Sequence, residues 1–189
     1  MGYAVLHIDK ARSNDSGNTA HIARTYTPSN VDPSRTRLNR ELVQFPANVT
    51  NRSEAIEHRI ATAGICRKVA KNQVKALRFI LSSSPEDMAR IEQEGLLYEW
   101  CDESMDWLRS TFGADNVVAA TLHADEDTPH IHATVVPIVT GERRKAKEEA
   151  ENGKRKYKTK KNKVRLCADD VLTLSLIHIS EPTRLRRIS

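Results

Sequence analysis

The stretch NVVAATLHADEDTPHIHATVVPIV, residues 116–139, reads as two strands joined by an acidic turn. NVVAATLH is apolar and β-branched, and HIHATVVPIV is too. Between them, ADEDTP carries turn residues, and Pro129 restricts Thr128 to an extended conformation. Residues i and i+2 of a strand face the same side, so His130 and His132 point together, and Thr134, Val136 and Ile138 continue that face. If the two strands pair antiparallel, the turn brings His123 back beside them. Three of the chain's seven histidines then share one sheet face.

Working outward, GYAVLHI (2–8) and VKALRFILSS (74–83) predict two further strands. RSEAIEHRIATAGI (52–65) predicts a helix capped by Ser53, with Ile56, Ile60 and Ala63 at helical spacing. CRKVAKNQ (66–73) predicts a second, short helix. Residues 83–113 predict a long one, capped by Ser84, with Pro85 in its first turn and Glu86 and Asp87 matching the dipole. Cys101, Met105, Leu108 and Phe112 form its apolar stripe. Gly95 bends or splits it, and Gly113 ends it. Helices interleaved with strands that include a meander pair imply an α+β fold with a largely antiparallel central sheet and helices packed on it.

The chain has 189 residues, enough for one domain with a real core. Its apolar runs are too short to span a bilayer, no secretory leader is evident, and three widely spaced cysteines suit a reducing cytoplasm. The net charge of +5 is local. Residues 142–165 hold twelve Lys or Arg against four Glu, which leaves the remainder negative. Such a basic loop, with Lys154, Arg155, Lys156 and Lys158 at its centre, suits the phosphates of DNA or is a solvated loop. The last segment, LTLSLIHISEPTRLRRIS (172–189), resembles the conceptual translation of a sequencing adapter. We expect the native domain to cover residues 1–171, with a helix beginning at Ala168 cut short and residues 172–189 a non-native tail.

His123, His130 and His132 can bind a divalent cation and leave positions open for water or substrate. Glu126 and Asp125 lie in the turn, where either can be a further ligand or fix a histidine tautomer. Imidazoles suit zinc or manganese, and the carboxylates admit magnesium or manganese. Such a metal polarises a phosphoryl oxygen, and the basic loop favours phosphoryl over carbonyl chemistry. The polar stretch NTAHIARTYTPSN (18–30) offers two nucleophiles, His21 and Tyr26. Arg24 lies between them and can pair with phosphate. If HIAR is helical, His21 and Arg24 share a face. A water-using metal hydrolase or dioxygenase, and a DNA-binding module with a structural metal, are the competing readings.

HADEDTPHIH is similar to the metal motif H-x-D-E-x-x-P-H-x-H of the Mob/Pre plasmid mobilization relaxases, members of the HUH endonucleases. HIAR resembles that family's first motif, and NVDPSRTRLNREL (30–42) its next segment, in the same order. The resemblance spans residues 3 to about 171. It implies a relaxase that nicks one strand at a plasmid origin of transfer, using Mn2+ or Mg2+. His123, His130 and His132 would hold the metal with Glu126 nearby. His21 would attack the scissile phosphate and stay joined to the 5′ end, with Tyr26 as fallback, and Arg24 would bind phosphate. Asn30, Asp32, Arg35 and Asn39 would support DNA or the residues behind the metal. Ile22 stands where family members often have asparagine, and Arg37 where they often have histidine. The family's C-terminal regions are absent, so a homodimer contact would lie in that missing part.

Overall fold

β5 (His130–Val135) lies at the centre of a five-stranded sheet. Its neighbours are β3 (Ala76–Ser83) and β4 (Val117–His123), with β1 (Ala4–Ala11) beyond β3 and β2 (Arg40–Glu41) beyond β4. Every neighbouring pair is antiparallel. The computed structural model describes residues 4–12, 16–141 and 163–179. Among the described residues the α-helices are α1 (Ser16–Ile22), α2 (Arg52–Thr62), α3 (Pro85–Gln93), α4 (Leu97–Phe112) and α5 (Ala168–Ile179). This is the α+β arrangement expected, with helices packed on an antiparallel sheet.

Strand alternation sorts the two faces. Ile131, Ala133 and Val135 of β5 join Leu77, Phe79 and Leu122 in a core closed by Cys101, Met105, Leu108 and Phe112 of α4. The four stripe residues are all buried, and burying each of the larger ones stabilises the fold by roughly 1.5–3 kcal/mol. Burial also pushes the Cys101 thiol up to about 12. The opposite face carries a smaller apolar cluster, in which Ala55 and Ile56 of α2 meet Val118, Val136 and Ile138. That cluster leaves the histidine end of β4 and β5 to polar side chains.

Several local expectations need correction. The cap of α2 is Asn51, whose side chain accepts from the Glu54 N–H, while the Glu54 carboxylate accepts from the Thr50 backbone and hydroxyl. Ser53 already lies within the first turn. No helix forms over residues 66–73. Gly64 (φ 73°) stops α2, and the following chain is tied outward: the Gln73 amide donates to the Leu166 carbonyl and the Lys75 N–H to that of Ala11. Gly95 (φ 75°) divides the long helix into α3 and α4, and Ser84 caps α3 as expected. The strand predicted over 130–139 breaks before Pro137, which has no N–H to give a ladder. Its last residues form β6 (Ile138–Val139), paired with β7 (Arg165–Leu166) in a separate ribbon. The helix expected to begin at Ala168 is α5, which runs to Ile179. Residues 180–189 of the tail lie outside the described residues.

Candidate metal centre and nucleophile site

β4 ends on His123 and β5 begins on His130, and the two are register partners. His132 pairs with Thr121, one step further along the same face. The three imidazoles converge, with ring centroids 5.3 Å (His123–His130), 4.8 Å (His123–His132) and 4.7 Å (His130–His132) apart. Two tautomers follow from backbone partners, because a carbonyl only accepts. His123 Nε2 donates to the Ile22 carbonyl at 3.0 Å, so its Nδ1 carries the lone pair. His130 Nδ1 donates to the Thr128 carbonyl at 2.9 Å, so its Nε2 carries the lone pair and meets His132 Nε2 at 3.0 Å. Burial, reinforced by neighbouring positive charge, pushes His123 down to about 4 and His132 down to about 2. Both rings are therefore neutral near pH 7, as metal ligands must be.

The turn between the strands divides its two carboxylates by role. Asp125 is buried. It accepts from Arg24 Nε at 3.0 Å and Nη2 at 2.7 Å, from Asn39 Nδ2 at 2.7 Å and from Thr36 Oγ1 at 3.1 Å. Burial alone would raise its pKa, but these donors outweigh it and hold the group at about 2. Glu126 faces the rings. Its Oε1 lies 3.7 Å from His123 Nδ1, 4.0 Å from His130 Nε2 and 3.9 Å from His21 Nε2, while Oε2 accepts from Asn30 at 2.8 Å. The donor chemistry fits a divalent cation: His123, Glu126 and His130 form one set of ligand atoms within 4.8 Å of one another, with His132 against His130.

His21 stands in the last turn of α1, its ring 6.1 Å from His123 and 6.0 Å from His132. It is also in ligand range, since His21, His123 and His132 form a second such set. The Tyr26 ring is 6.4 Å from that of His21, and Tyr26 is 53% exposed. His21 is the inner of the two candidate nucleophiles.

Arg24 reaches the site differently from expectation. α1 ends at Ile22, so His21 and Arg24 do not share a helical face. Arg24 instead takes the left-handed position (φ 51°) that closes the helix, with the Thr25 N–H on the Ala20 carbonyl and its own on that of His21. A non-glycine residue there is strained by roughly 1–3 kcal/mol. The guanidinium contacts offset that strain. Besides Asp125, Arg24 Nη2 meets Glu126 Oε1 at 2.6 Å and His123 Nδ1 at 2.9 Å, and Nη1 donates to the His21 carbonyl at 3.1 Å. Arg24 is thus bound to the protein's own acceptors, and a phosphate would have to compete with them.

Asn39 uses both ends of its amide to brace the turn, accepting from the Ala124 N–H at 2.8 Å while it donates to Asp125. Asp32 donates its N–H to the Asp125 carbonyl. Arg35 points to α3, where it pairs with Glu92 at 2.7 Å. Lys154, Arg155, Lys156 and Lys158 lie outside the described residues. Sequence reasoning missed Thr36 and Arg52. Arg52 is 5% exposed and hydrogen-bonds Thr121 and Thr134 beside His132. The available signal was a cation in the first turn of a helix, where the dipole favours an acid.

A family model described as plasmid recombination enzyme (Mob_Pre) matches residues 1–169. A plasmid recombination enzyme type 3 of Staphylococcus aureus is 32% identical over 162 residues, covering 82% of this chain and 38% of the relative. A 65 kDa protein of Zymomonas mobilis is 30% identical over 137 residues, 71% of this chain and 23% of that one. The chain therefore spans well under half the length of these relatives. Among solved structures, the fold is similar to a MobM relaxase domain that is Mn-bound and in complex with plasmid pMV158 oriT DNA. The TM-score is 0.65 at 26% identity, over 71% of this chain and 70% of that one. Sequence and fold agree, and the chain belongs to the plasmid recombination enzyme family.

Proposed function

We propose that this chain is the catalytic part of a relaxase that nicks one strand of plasmid DNA at an origin of transfer. The observation that carries this reading is His21 beside a converged histidine platform, 3.9 Å from Glu126. Support comes from the MobM relaxase domain, whose solved structures hold oriT DNA and Mn. His123, His130 and His132, with Glu126, would hold Mn2+ or Mg2+. Such a cation supplies Lewis-acid stabilisation of charge on a phosphoryl oxygen.

His21 then attacks the scissile phosphorus through an imidazole nitrogen. A P–N bond forms, the bond from phosphorus to the 3′ oxygen breaks, and that oxygen leaves and takes a proton from solvent water to become a 3′ hydroxyl. The 5′ phosphate stays on His21, which conserves the ester's energy for rejoining. The Glu126 carboxylate offsets the positive charge that develops on the imidazole. Arg24 and Asp125 hold His21, His123 and Glu126 in one frame. Asn30 orients Glu126. The basic segment around Lys154, Arg155, Lys156 and Lys158 contacts DNA phosphates. Among the described residues no helix is long and apolar enough to cross a membrane, and we place the reaction in the cytoplasm with plasmid DNA.

The test is a labelled single-stranded oligonucleotide carrying the plasmid's own origin, incubated with protein and Mn2+. A covalent protein–DNA adduct and a free 3′ hydroxyl fragment are expected, and His130→Ala should abolish both while circular dichroism stays native. Full activity in His130→Ala would remove the metal assignment. A second reading follows from the ligand set that includes His21. If His21 is a ligand, water is the attacking group and cleavage occurs without an adduct.

A further inference from the structure

Arg52 opens α2, yet its guanidinium enters the sheet face that carries the histidines. Nη1 donates to Thr134 Oγ1 at 2.6 Å and lies 3.5 Å from the His132 carbonyl, while Nη2 donates to Thr121 Oγ1 at 2.9 Å. These two hydroxyls bracket His132. Thr121 is its register partner on β4, and Thr134 is two residues on along the same face of β5. The Thr121 hydroxyl donates onward to the Glu41 carboxylate, at 2.9 and 3.1 Å from its two oxygens. One side chain thus ties α2 to both histidine strands and, through Thr121, to the edge strand β2. A planar fork spans two fixed acceptors at once, whereas a lysine ammonium is a point donor.

We infer that Arg52 is a positioning residue for the histidine platform, clamping Thr121 and Thr134 so that His132 stands at a fixed height beside His123 and His130. The inference rests on the metal reading above. Groups that hold ligand-bearing elements in place change metal affinity by about 10–100-fold. A role confined to stability would shift melting and leave affinity alone.

The experiment is Mn2+ titration of the full chain by calorimetry, well below every melting temperature, for wild type, Arg52→Lys, Arg52→Met and Thr134→Val. Circular dichroism is measured in parallel. Wild type is expected to bind. Arg52→Lys, which keeps the charge and loses the fork, should weaken binding by about tenfold or more. Thr134→Val, which keeps the arginine and removes one acceptor, should show a smaller loss. If Arg52→Met does not fold, the other two variants carry the comparison. Arg52→Lys binding Mn2+ as tightly as wild type would overturn the positioning role and leave the metal reading standing. Wild type that binds no Mn2+ would overturn the metal reading and this inference with it.

Discussion

Arg24 holds Asp125 through two parallel contacts, Nε to Oδ2 at 3.0 Å and Nη2 to Oδ1 at 2.7 Å. The pair bridges the loop after α1 and the turn between β4 and β5, with the Asp125 side chain fully buried and that of Arg24 only 9% exposed. It is the joint that brings His21 to the three platform histidines. Removing one partner strands the other charge in a poorly solvated place.

Asp125→Asn should therefore lower stability by about 3 kcal/mol. For a domain of this size that is a fall in Tm of roughly 6–12 °C. The nicking rate should fall further than the lost stability explains, because His21 loses its anchor. Thermal melts and single-turnover cleavage measure the two effects separately. An unchanged Tm would show that the pair is not the joint described here.

The metal-free fold should weaken on acidification. Burial holds His123 at about 4 and His132 at about 2, against about 6.5 for an unfolded histidine. Between those values the unfolded chain binds protons that the folded chain refuses, so stability is lost as pH falls below about 6.5. Melting in EDTA at pH 7.5, 5.5 and 4.5 should show a falling Tm. The fall should be shallower in His132→Gln. A flat profile in the wild type would mean that the rings are solvated.

Much of this centre was legible in the sequence because strand periodicity is strict. His130 and His132 two residues apart, and His123 across a short turn, could only converge if β4 and β5 paired antiparallel. The stripe on α4 was legible for the same kind of reason. Arg24 was harder, because its placement depends on a left-handed residue that composition does not reveal. Sequence did not separate Asp125 from Glu126, since their roles are set by Arg24, Thr36 and Asn39, about 86–102 positions away. Arg52 showed in the sequence only as a cation in the first turn of a helix, which does not name its partners on β4 and β5. The false helix over 66–73 came from local propensity, which lost to ties with β1 and β7.

Val139 and Arg165, which flank the basic segment in sequence, face each other in the β6–β7 ribbon. Nine positions separate Val139 from His130, a reach of at most roughly 30 Å. Replacing Lys154, Arg155, Lys156 and Lys158 together with alanine should then weaken DNA binding and reduce its salt dependence by a slope of up to about 3. Cleavage at saturating DNA should be unchanged. Fluorescence anisotropy across a salt series measures the slope. A lost cleavage rate at saturation would place the segment in the chemistry instead.

His21 is the group we propose to attack the scissile phosphate. The direct measurement is to trap the adduct on an origin oligonucleotide in Mn2+, digest it, and locate the attached nucleotide by mass spectrometry at neutral pH. An acid-labile phosphoramidate on His21 is expected, absent in His21→Ala and retained in Tyr26→Phe. An acid-stable adduct on Tyr26, or cleavage with no adduct at all, would contradict it.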